Sequence, residues 1–159
     1  MATLFLTCGL PGSGKTTLAK RLERERSALR LTADEWLHRL HPERGPELDA
    51  LRAPIEQMQW DVAVRVLRLG CNVVIDWGLW SREERDHYRL QARELGARVV
   101  LCVLDPPREE LRRRLARRNA DLPSGTFRIS EAELDLWWSK HFERPGPDEL
   151  AAFDQLSVR

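Results

Sequence analysis

A glycine-rich segment separates the first apolar run of the chain from its first helical pattern. Residues 3–8 are mostly apolar or β-branched, as in a buried strand, and residues 16–26 have the spacing of an amphipathic helix. Residues 9–16 between them read Gly-Leu-Pro-Gly-Ser-Gly-Lys-Thr. This order leaves few folds open, because such a turn gathers backbone amides at the start of the helix.

The segment has the phosphate-binding pattern Gly-x-x-x-x-Gly-Lys-Thr, known as the Walker A motif or P-loop. Its glycines let successive N–H groups point at phosphate oxygens, and the helix N-terminus adds a favourable dipole. We expect Lys15 to reach the β- and γ-phosphates of ATP and the Thr16 hydroxyl to coordinate Mg²⁺. A dinucleotide-binding turn is excluded, since Thr17 occupies its third small-residue position. The predicted nucleotide-binding residues are Gly9, Pro11, Gly12, Ser13, Gly14, Lys15, Thr16 and Thr17.

Strand-like and helix-like segments alternate along the rest of the chain, which is typical of a mainly parallel sheet wrapped by helices. Serine–glutamate capping boxes open two of the predicted helices, at Ser81 and Ser130, and Asp105 is the predicted N-cap of another. Further strands are predicted at 29–32, 71–76 and 99–104, with a last edge strand at 153–158. Helices are predicted at about 33–40, 47–69 (with a kink or break at Pro54), 81–95, 106–118 and 130–142, and a loop at 41–46.

The composition of the chain indicates which kinds of binding partner to expect. The formal net charge is +1, so no global charge attracts nucleic acid or anionic lipid. No apolar run approaches the ~20 residues of a membrane span, and no signal peptide is predicted. The three cysteines lie far apart beside strand-like runs, so we expect buried thiols in a reducing cytoplasm. These features predict a cytoplasmic protein without a membrane partner, and they leave the oligomeric state open.

Other P-loop classes lack support in the sequence. No Asn-Lys pair is present to read guanine, and no Ser-Gly-Gly signature of transporter ATPases occurs. Four segments, together with the region 142–149, instead resemble the small P-loop kinases that include polynucleotide 5′-hydroxyl kinases, chloramphenicol phosphotransferases and zeta-type toxins. The four segments are 9–17, 31–36, 73–76 and 110–119. This resemblance implies ATP-dependent phosphoryl transfer to a hydroxyl group.

Asp34 follows the second predicted strand, near the carboxyl edge where parallel sheets bind ligands. In the resembling kinases the matching aspartate accepts the proton of the attacking hydroxyl, a role that suits a carboxylate. The alternative is structural: Thr32 and Glu35 have capping-box spacing, and Asp34 would then only complement the helix dipole.

Asp76 ends the third predicted strand, a usual place for an acidic residue that binds Mg²⁺ directly or through water. It could instead hold the substrate hydroxyl, and the two aspartates could exchange roles. A purely structural carboxylate at the strand end is the third interpretation.

Five arginines crowd the helix predicted at 106–118: Arg112, Arg113, Arg114, Arg117 and Arg118. Because arginine is abundant throughout the chain, a solvated helix face is the simple explanation. Arg114 and Arg118 stand at i,i+4 on one side of the helix. By register they match lid arginines of the resembling kinases, which neutralise charge on the phosphates in the transition state, and Arg117 is a third candidate.

Tryptophans follow two of the predicted strands close to the two aspartates. Trp36, Trp77 and Trp80 could form an aromatic rim that stacks on the ring of a substrate, or they could cap the core. Trp60, Trp137 and Trp138 lie on predicted helices and are interpreted as packing residues, although Trp137 or Trp138 could flank the nucleotide. The four histidines have no metal-binding spacing.

Together these observations predict one α/β domain over residues 1–159. It is expected to be a three-layer α/β/α fold of the P-loop NTPase type, with five parallel strands in the order 2-3-1-4-5. The expected reaction is transfer of the γ-phosphoryl group of ATP, with Mg²⁺, to a hydroxyl of a nucleoside, sugar or antibiotic. A polynucleotide 5′-end is a second acceptor class, disfavoured because no basic groove is apparent. A nucleotide-binding switch or accessory ATPase with a protein partner is the alternative from another class.

Overall fold

The computed structural model of the protein describes residues 1–41, 46–124 and 126–155. Four parallel strands form one sheet in the order β2-β3-β1-β4. The strands are β1 (Thr3–Cys8), β2 (Ala28–Leu31), β3 (Asn72–Ile75) and β4 (Arg98–Val103). This is the parallel order expected for these four strands, with β1 and its following loop at the centre.

The predicted fifth strand is not found among the described residues. Residues 153–155 are not in a strand, and 156–158 lie outside the described part of the chain. The backbone N–H of Asp154 donates to the carbonyl of Val99 at 2.8 Å, and Phe153 is buried. The segment therefore packs beside the β4 edge, where a fifth strand was expected, without extending the sheet.

The helices agree closely with the predicted pattern. Pro54 lies inside the third helix without ending it, and the predicted loop at 41–46 falls mostly outside the described residues. The helix predicted over 130–142 consists of an α-helix and a π-helical turn, Trp137–His141. A short last helix was not predicted. The α-helices are α1 (Lys15–Glu25), α2 (Ala33–Leu40), α3 (Pro46–Arg68), α4 (Arg82–Glu94), α5 (Arg108–Ala120), α6 (Glu131–Leu136) and α7 (Pro147–Leu150).

Both faces of the sheet are covered. In β1, Leu4 and Leu6 belong to a core shared with α2, α3 and α4, whereas Phe5 packs with Ala19 and Leu22 of α1 on the opposite face. This alternation follows from the two-residue repeat of a strand. The result is the predicted three-layer α/β/α arrangement, whose carboxyl edge carries the P-loop.

The capping predictions have mixed outcomes. Ser81 and Ser130 each form a complete capping box with the glutamate three residues later, as predicted. Asp105 is not the N-cap of α5, because the helix begins later, after Pro107. The carboxylate of Asp105 instead accepts a hydrogen bond from Arg144 Nε at 2.7 Å.

A buried ion pair joins α4 to α7, and the sequence analysis did not foresee it. Arg85 of α4 and Glu149 of α7 are 0% and 2% exposed, and Nε donates to Oε1 at 2.6 Å. Arg85 also donates to the carbonyls of Leu79 and Trp80, each at 3.0 Å. A buried charge needs such partners, so the two helices and the loop are fixed together.

The cysteine prediction holds in part. Cys8 is buried and Cys102 is half-buried, and burial raises the pKa of both thiols to about 11. Cys71 is exposed, because it precedes β3 instead of lying within it, so the expectation of a buried thiol there was wrong. A membrane-spanning helix, which needs length and apolar character together, is absent from the described part of the chain.

Candidate nucleotide and acceptor site

The P-loop connects β1 to α1 at the carboxyl edge of the sheet, and at two of its positions the structure requires glycine. Gly14 is the N-cap of α1 with φ 102°, a left-handed conformation that favours glycine. A Cβ at Gly9 would lie 2.4 Å from the carbonyl oxygen of Leu104 at the end of β4. The loop thus fits tightly between its own helix and the neighbouring strand.

Lys15 is the first residue of α1, and its ammonium group lies among carboxylates. Its Nζ donates to the Leu10 carbonyl at 2.9 Å. Burial lowers the pKa of Lys15 to about 8, and the nearby charges of Asp76 and Asp34 oppose this shift. A desolvated cation at the start of a helix is well placed to bind phosphate oxygens.

Asp76 is held directly behind the P-loop. Its side chain is 1% exposed, and Thr16 Oγ1 donates to its Oδ1 at 3.4 Å. Arg30 of β2 donates to the other oxygen, Oδ2, at 3.0 Å. Burial raises the pKa of Asp76, against the charges of Arg30 and Lys15. Arg30 is a residue of the site that the sequence analysis missed.

A hydroxyl and a carboxylate at this distance suit Mg²⁺, which prefers oxygen ligands and usually keeps waters and substrate phosphates in its shell. Within the described residues, no cluster of three or more His, Cys, Asp or Glu side chains could hold a metal ion. Thr16 and Asp76 are hydrogen-bonded to each other, and their binding of Mg²⁺ together with a phosphate chain stays a prediction.

Asp34 lies in the first turn of α2, and its surroundings differ from those of Asp76. Its side chain is 53% exposed, and its Oδ1 accepts a hydrogen bond from Arg52 Nη2 of α3 at 2.8 Å. The sequence does not single out Arg52 among the many arginines of the chain. The carboxylate is open to a ligand on the same edge of the sheet as the P-loop.

The proposed capping box of α2 is wrong. Thr32 is the N-cap, but its side chain makes no capping hydrogen bond. Glu35 instead accepts a hydrogen bond from Arg30 Nη2 at 2.6 Å. Arg30 thus bridges Glu35 and Asp76, and this contact takes away the glutamate that the capping box needs.

Helix α5 places Arg114 against the P-loop, and Arg118 lies one turn further along the same helix. Arg114 Nη1 lies 3.3 Å from the Ser13 carbonyl and 3.4 Å from that of Gly12, and its Nε donates to Glu110 at 2.6 Å. Arg118 donates to the Phe127 carbonyl at 3.2 Å. Burial lowers the pKa of Arg118, and the charge of Asp34 opposes this shift.

The other arginines of α5 lie elsewhere. Arg113 pairs with Glu110 and is 70% exposed, and Arg117 is also exposed. Arg112 pairs with Asp135 of α6 at 3.0 Å. Within the arginine cluster, Arg114 contacts the P-loop carbonyls and Arg118 is half-buried beside Phe127. The role of this pair in the transition state stays a prediction.

The three tryptophans near the aspartates have different positions. Trp77 is 6% exposed and donates its indole N–H to Gln59 at 2.9 Å, so it belongs to the core and we leave it out of the acceptor site. Trp80 donates to the Gly9 carbonyl at 3.2 Å and thus supports the P-loop. Trp36 is half-buried against the core under α2, close in sequence to Asp34.

Solved structures of known proteins share this fold. A provisionally assigned kinase from Chloroflexus aurantiacus is 18% identical, with a TM-score of 0.71 over 92% of this chain and 83% of that chain. The APS kinase CysC of Mycobacterium tuberculosis, solved with AMPPNP and APS, is 21% identical, with a TM-score of 0.64 over 91% and 83%. A chain of the Pnkp1/Rnl/Hen1 RNA repair complex is 24% identical, with a TM-score of 0.67 over 85% of this chain but 42% of its own.

A family model gives the membership. No curated protein matches the chain in sequence. The model of the AAA domain, in its AAA_33 form, matches residues 4–145, which is most of the chain and includes the P-loop, both aspartates and α5. The chain therefore belongs to the AAA_33 family of AAA domains and has the fold of a kinase-like P-loop domain.

Proposed function

We propose that the protein transfers the γ-phosphoryl group of ATP to a hydroxyl group of a small molecule. The observation that carries the proposal is the hydrogen bond between Thr16 of the P-loop and the buried Asp76, with the open carboxylate of Asp34 at the same edge of the sheet. The charges of Asp76 and Asp34 both act on the ammonium group of Lys15, although the first is buried and the second open. A kinase needs this division, with one carboxylate on the nucleotide side and another that faces the acceptor.

On the nucleotide side, the P-loop amides and Lys15 bind the β- and γ-phosphates. Thr16 and Asp76 would hold Mg²⁺, which when bound neutralises charge on these phosphates. Arg114 of α5 contacts P-loop carbonyls, among them that of Ser13. Arg118 lies within electrostatic reach of Lys15 and Asp34. Both arginines can stabilise the negative charge of the transferring group.

On the acceptor side, Asp34 accepts the proton of the attacking hydroxyl. Asp76 is a poor base for this step, because both of its oxygens are engaged and its side chain is closed to solvent. Among the described residues, Oδ2 of Asp34 has no hydrogen-bond partner, its side chain is exposed, and Arg52 holds Oδ1. A positioned carboxylate of this kind both orients the hydroxyl and receives its proton.

The acceptor is a hydroxyl of a nucleoside, sugar or antibiotic, and Trp36, two residues after Asp34 on α2, contacts its ring. The likeness to a chain of an RNA repair complex keeps a polynucleotide 5′-hydroxyl as the second candidate. Against it, carboxylates surround Arg52: the charges of Asp34, Glu56 and Asp49 all act on it. A polyanionic strand would bind such a surface weakly.

The test is ATP consumption with and without a panel of nucleosides, sugars, antibiotics and a 5′-hydroxyl oligonucleotide. We expect slow ATP loss alone and at least ~10-fold faster loss with one acceptor class, because proton abstraction from a positioned hydroxyl contributes about 10²–10⁴-fold. A phosphorylated product identified by mass spectrometry completes the result. If the panel and a cell extract yield no such product while a protein fraction stimulates ATP loss, the protein is a nucleotide-dependent switch and the proposal is wrong.

A further inference from the structure

A charged and aromatic cluster lies beside the P-loop, and of its residues the sequence analysis considered only Trp138 as one that could flank the nucleotide. It comprises Asp105, Trp138, Phe142 and Arg144, and we call it the arginine stack. The guanidinium carbon of Arg144 is 4.1 Å from the ring centroid of Trp138 and 5.1 Å from that of Phe142. Arg144 Nε also donates to Asp105 Oδ2 at 2.7 Å. The guanidinium group is therefore fixed both by rings and by a carboxylate.

The arginine stack adjoins the phosphate site through the end of β4. The N–H of Leu104 donates to the Cys8 carbonyl at 2.8 Å, just before the P-loop. A Cβ at Gly9 would lie 2.4 Å from the Leu104 carbonyl oxygen, and one at Gly14 would lie 3.6 Å from its side chain. Asp105 is the next residue, so the arginine stack begins one residue from a side chain that touches the cap of α1.

Part of the Arg144 side chain is exposed to solvent. Phe142 is buried, whereas the side chain of Arg144 is 39% exposed and that of Asp105 is 31% exposed. The rings therefore hold Arg144 from the protein side and leave part of it facing solvent at the carboxyl edge of the sheet, where ligands of such folds bind. An ion pair this exposed adds little to stability, so a purely structural role explains the arrangement poorly.

A planar guanidinium group held in this way is a stacking surface. Arginine stacks on aromatic faces, and every nucleobase offers such a face. We propose that Arg144 stacks on the base of the nucleotide whose phosphates occupy the P-loop, with Asp105 and Trp138 as positioning residues that fix its plane. This inference rests on the nucleotide binding proposed above, and it adds a binding site for the base.

The test compares Mg-ATP with Mg-tripolyphosphate, which has the phosphate chain but no base. Calorimetry compares the wild type with Arg144→Ala for each ligand. The variant should bind ATP ~10-fold or more weakly, the usual effect of a lost base stack, and should bind tripolyphosphate as the wild type does. Arg93→Ala is the matched control, because Arg93 forms a similarly exposed ion pair with Asp154 at 3.1 Å far from the loop. It should change neither affinity.

A second variant separates stacking from folding and from charge. Arg144→Lys keeps the positive charge but has no planar group, so it should also lose ATP affinity and keep tripolyphosphate affinity. Unchanged ATP affinity in both variants, or an equal loss for the two ligands, would overturn the inference. A wild-type protein that binds tripolyphosphate but not ATP would likewise overturn it. Failure to bind either ligand would instead refute the proposed P-loop function.

Discussion

The two carboxylates at the carboxyl edge of the sheet are set in opposite surroundings. Asp76 is 1% exposed, with one oxygen near Thr16 and the other bonded to Arg30. Asp34 is 53% exposed, and among the described residues its side chain is held by a hydrogen bond from Arg52. The buried carboxylate is preorganised, as catalytic electrostatics require, whereas the open one can turn toward an arriving ligand. The contrast suggests a nucleotide half that is fixed and an acceptor half that is free to vary.

The largest expected effect lies in the fixed half. Lys15→Ala should reduce ATP turnover by more than ~10³-fold, because the charge at the β- and γ-phosphates is lost and no other lysine is nearby. Steady-state turnover of ATP measures this directly. Lys20→Ala, on the exposed side of α1, is the control and should behave as the wild type. If Lys15→Ala keeps a tenth of the activity, the P-loop assignment is wrong.

The two aspartates should separate on matched substitutions. Asp34→Asn should bind Mg-ATP nearly as the wild type but transfer phosphoryl to the acceptor about 10²- to 10⁴-fold more slowly, because the proton acceptor is gone. Its unfolding free energy should change by at most ~1 kcal/mol, since the pair with Arg52 is exposed.

Asp76→Asn should instead lose the Mg²⁺ dependence of ATP binding, which calorimetry with and without Mg²⁺ detects. The reverse outcome, with Mg²⁺-dependent binding lost in Asp34→Asn and transfer alone lost in Asp76→Asn, would exchange the two roles. Normal transfer by Asp34→Asn would remove it as the base.

The sequence predicts the fixed half better than the open one, for a physical reason. The P-loop is contiguous, so its spacing alone specifies a strand, a turn and a helix. Arg30 and Arg52 act through contacts with residues 46 and 18 positions away, and nothing distinguishes them in a chain rich in arginine. Trp77, which follows β3, shows the same limit, because its indole N–H is bound by Gln59 of α3, 18 positions away.

Local patterns failed where a residue outside the pattern bound the same group. Glu35 has capping-box spacing from Thr32, yet Arg30 binds it. Aspartate is a common N-cap residue, yet Arg144 binds Asp105 and the helix starts later. The boxes at Ser81 and Ser130 formed as predicted.

The next prediction tests whether α5 acts on both the nucleotide half and the acceptor half. Arg118→Ala should lower the transfer rate by ~10²-fold, because Arg118 is half-buried and within electrostatic reach of both Lys15 and Asp34. Arg113→Ala, on the solvated face of the same helix, should leave the rate unchanged. Equal rates in the two variants would show that the whole cluster is surface.

The smallest effect concerns protons. Because burial lowers the pKa of Lys15 to about 8, the free protein loses this charge as the pH rises through that value. Phosphate favours the charged form, so ATP binding at about pH 9 should take up close to one proton and should weaken with rising pH. At about pH 7 the uptake should be near zero.

Calorimetry in two buffers of different ionisation enthalpy measures the uptake. Lys15→Arg is the control, because its guanidinium group stays charged throughout this pH range. In this variant the proton uptake on ATP binding should not depend on pH. Equal uptake by the wild type at both pH values would contradict the buried position of the ammonium group.

The buried pair of Arg85 and Glu149 has a consequence for how the protein is made. The two residues are 64 positions apart, so a ribosome releases Arg85 well before its counter-charge exists. Leaving one member of such a pair buried alone costs about 3–5 kcal/mol, which a partial chain cannot sustain. Because Arg85 also holds the carbonyls of Leu79 and Trp80, the loop that supports the P-loop stays unsettled until then. A nascent chain therefore acquires its nucleotide site late, once α7 has emerged and the helices can close together.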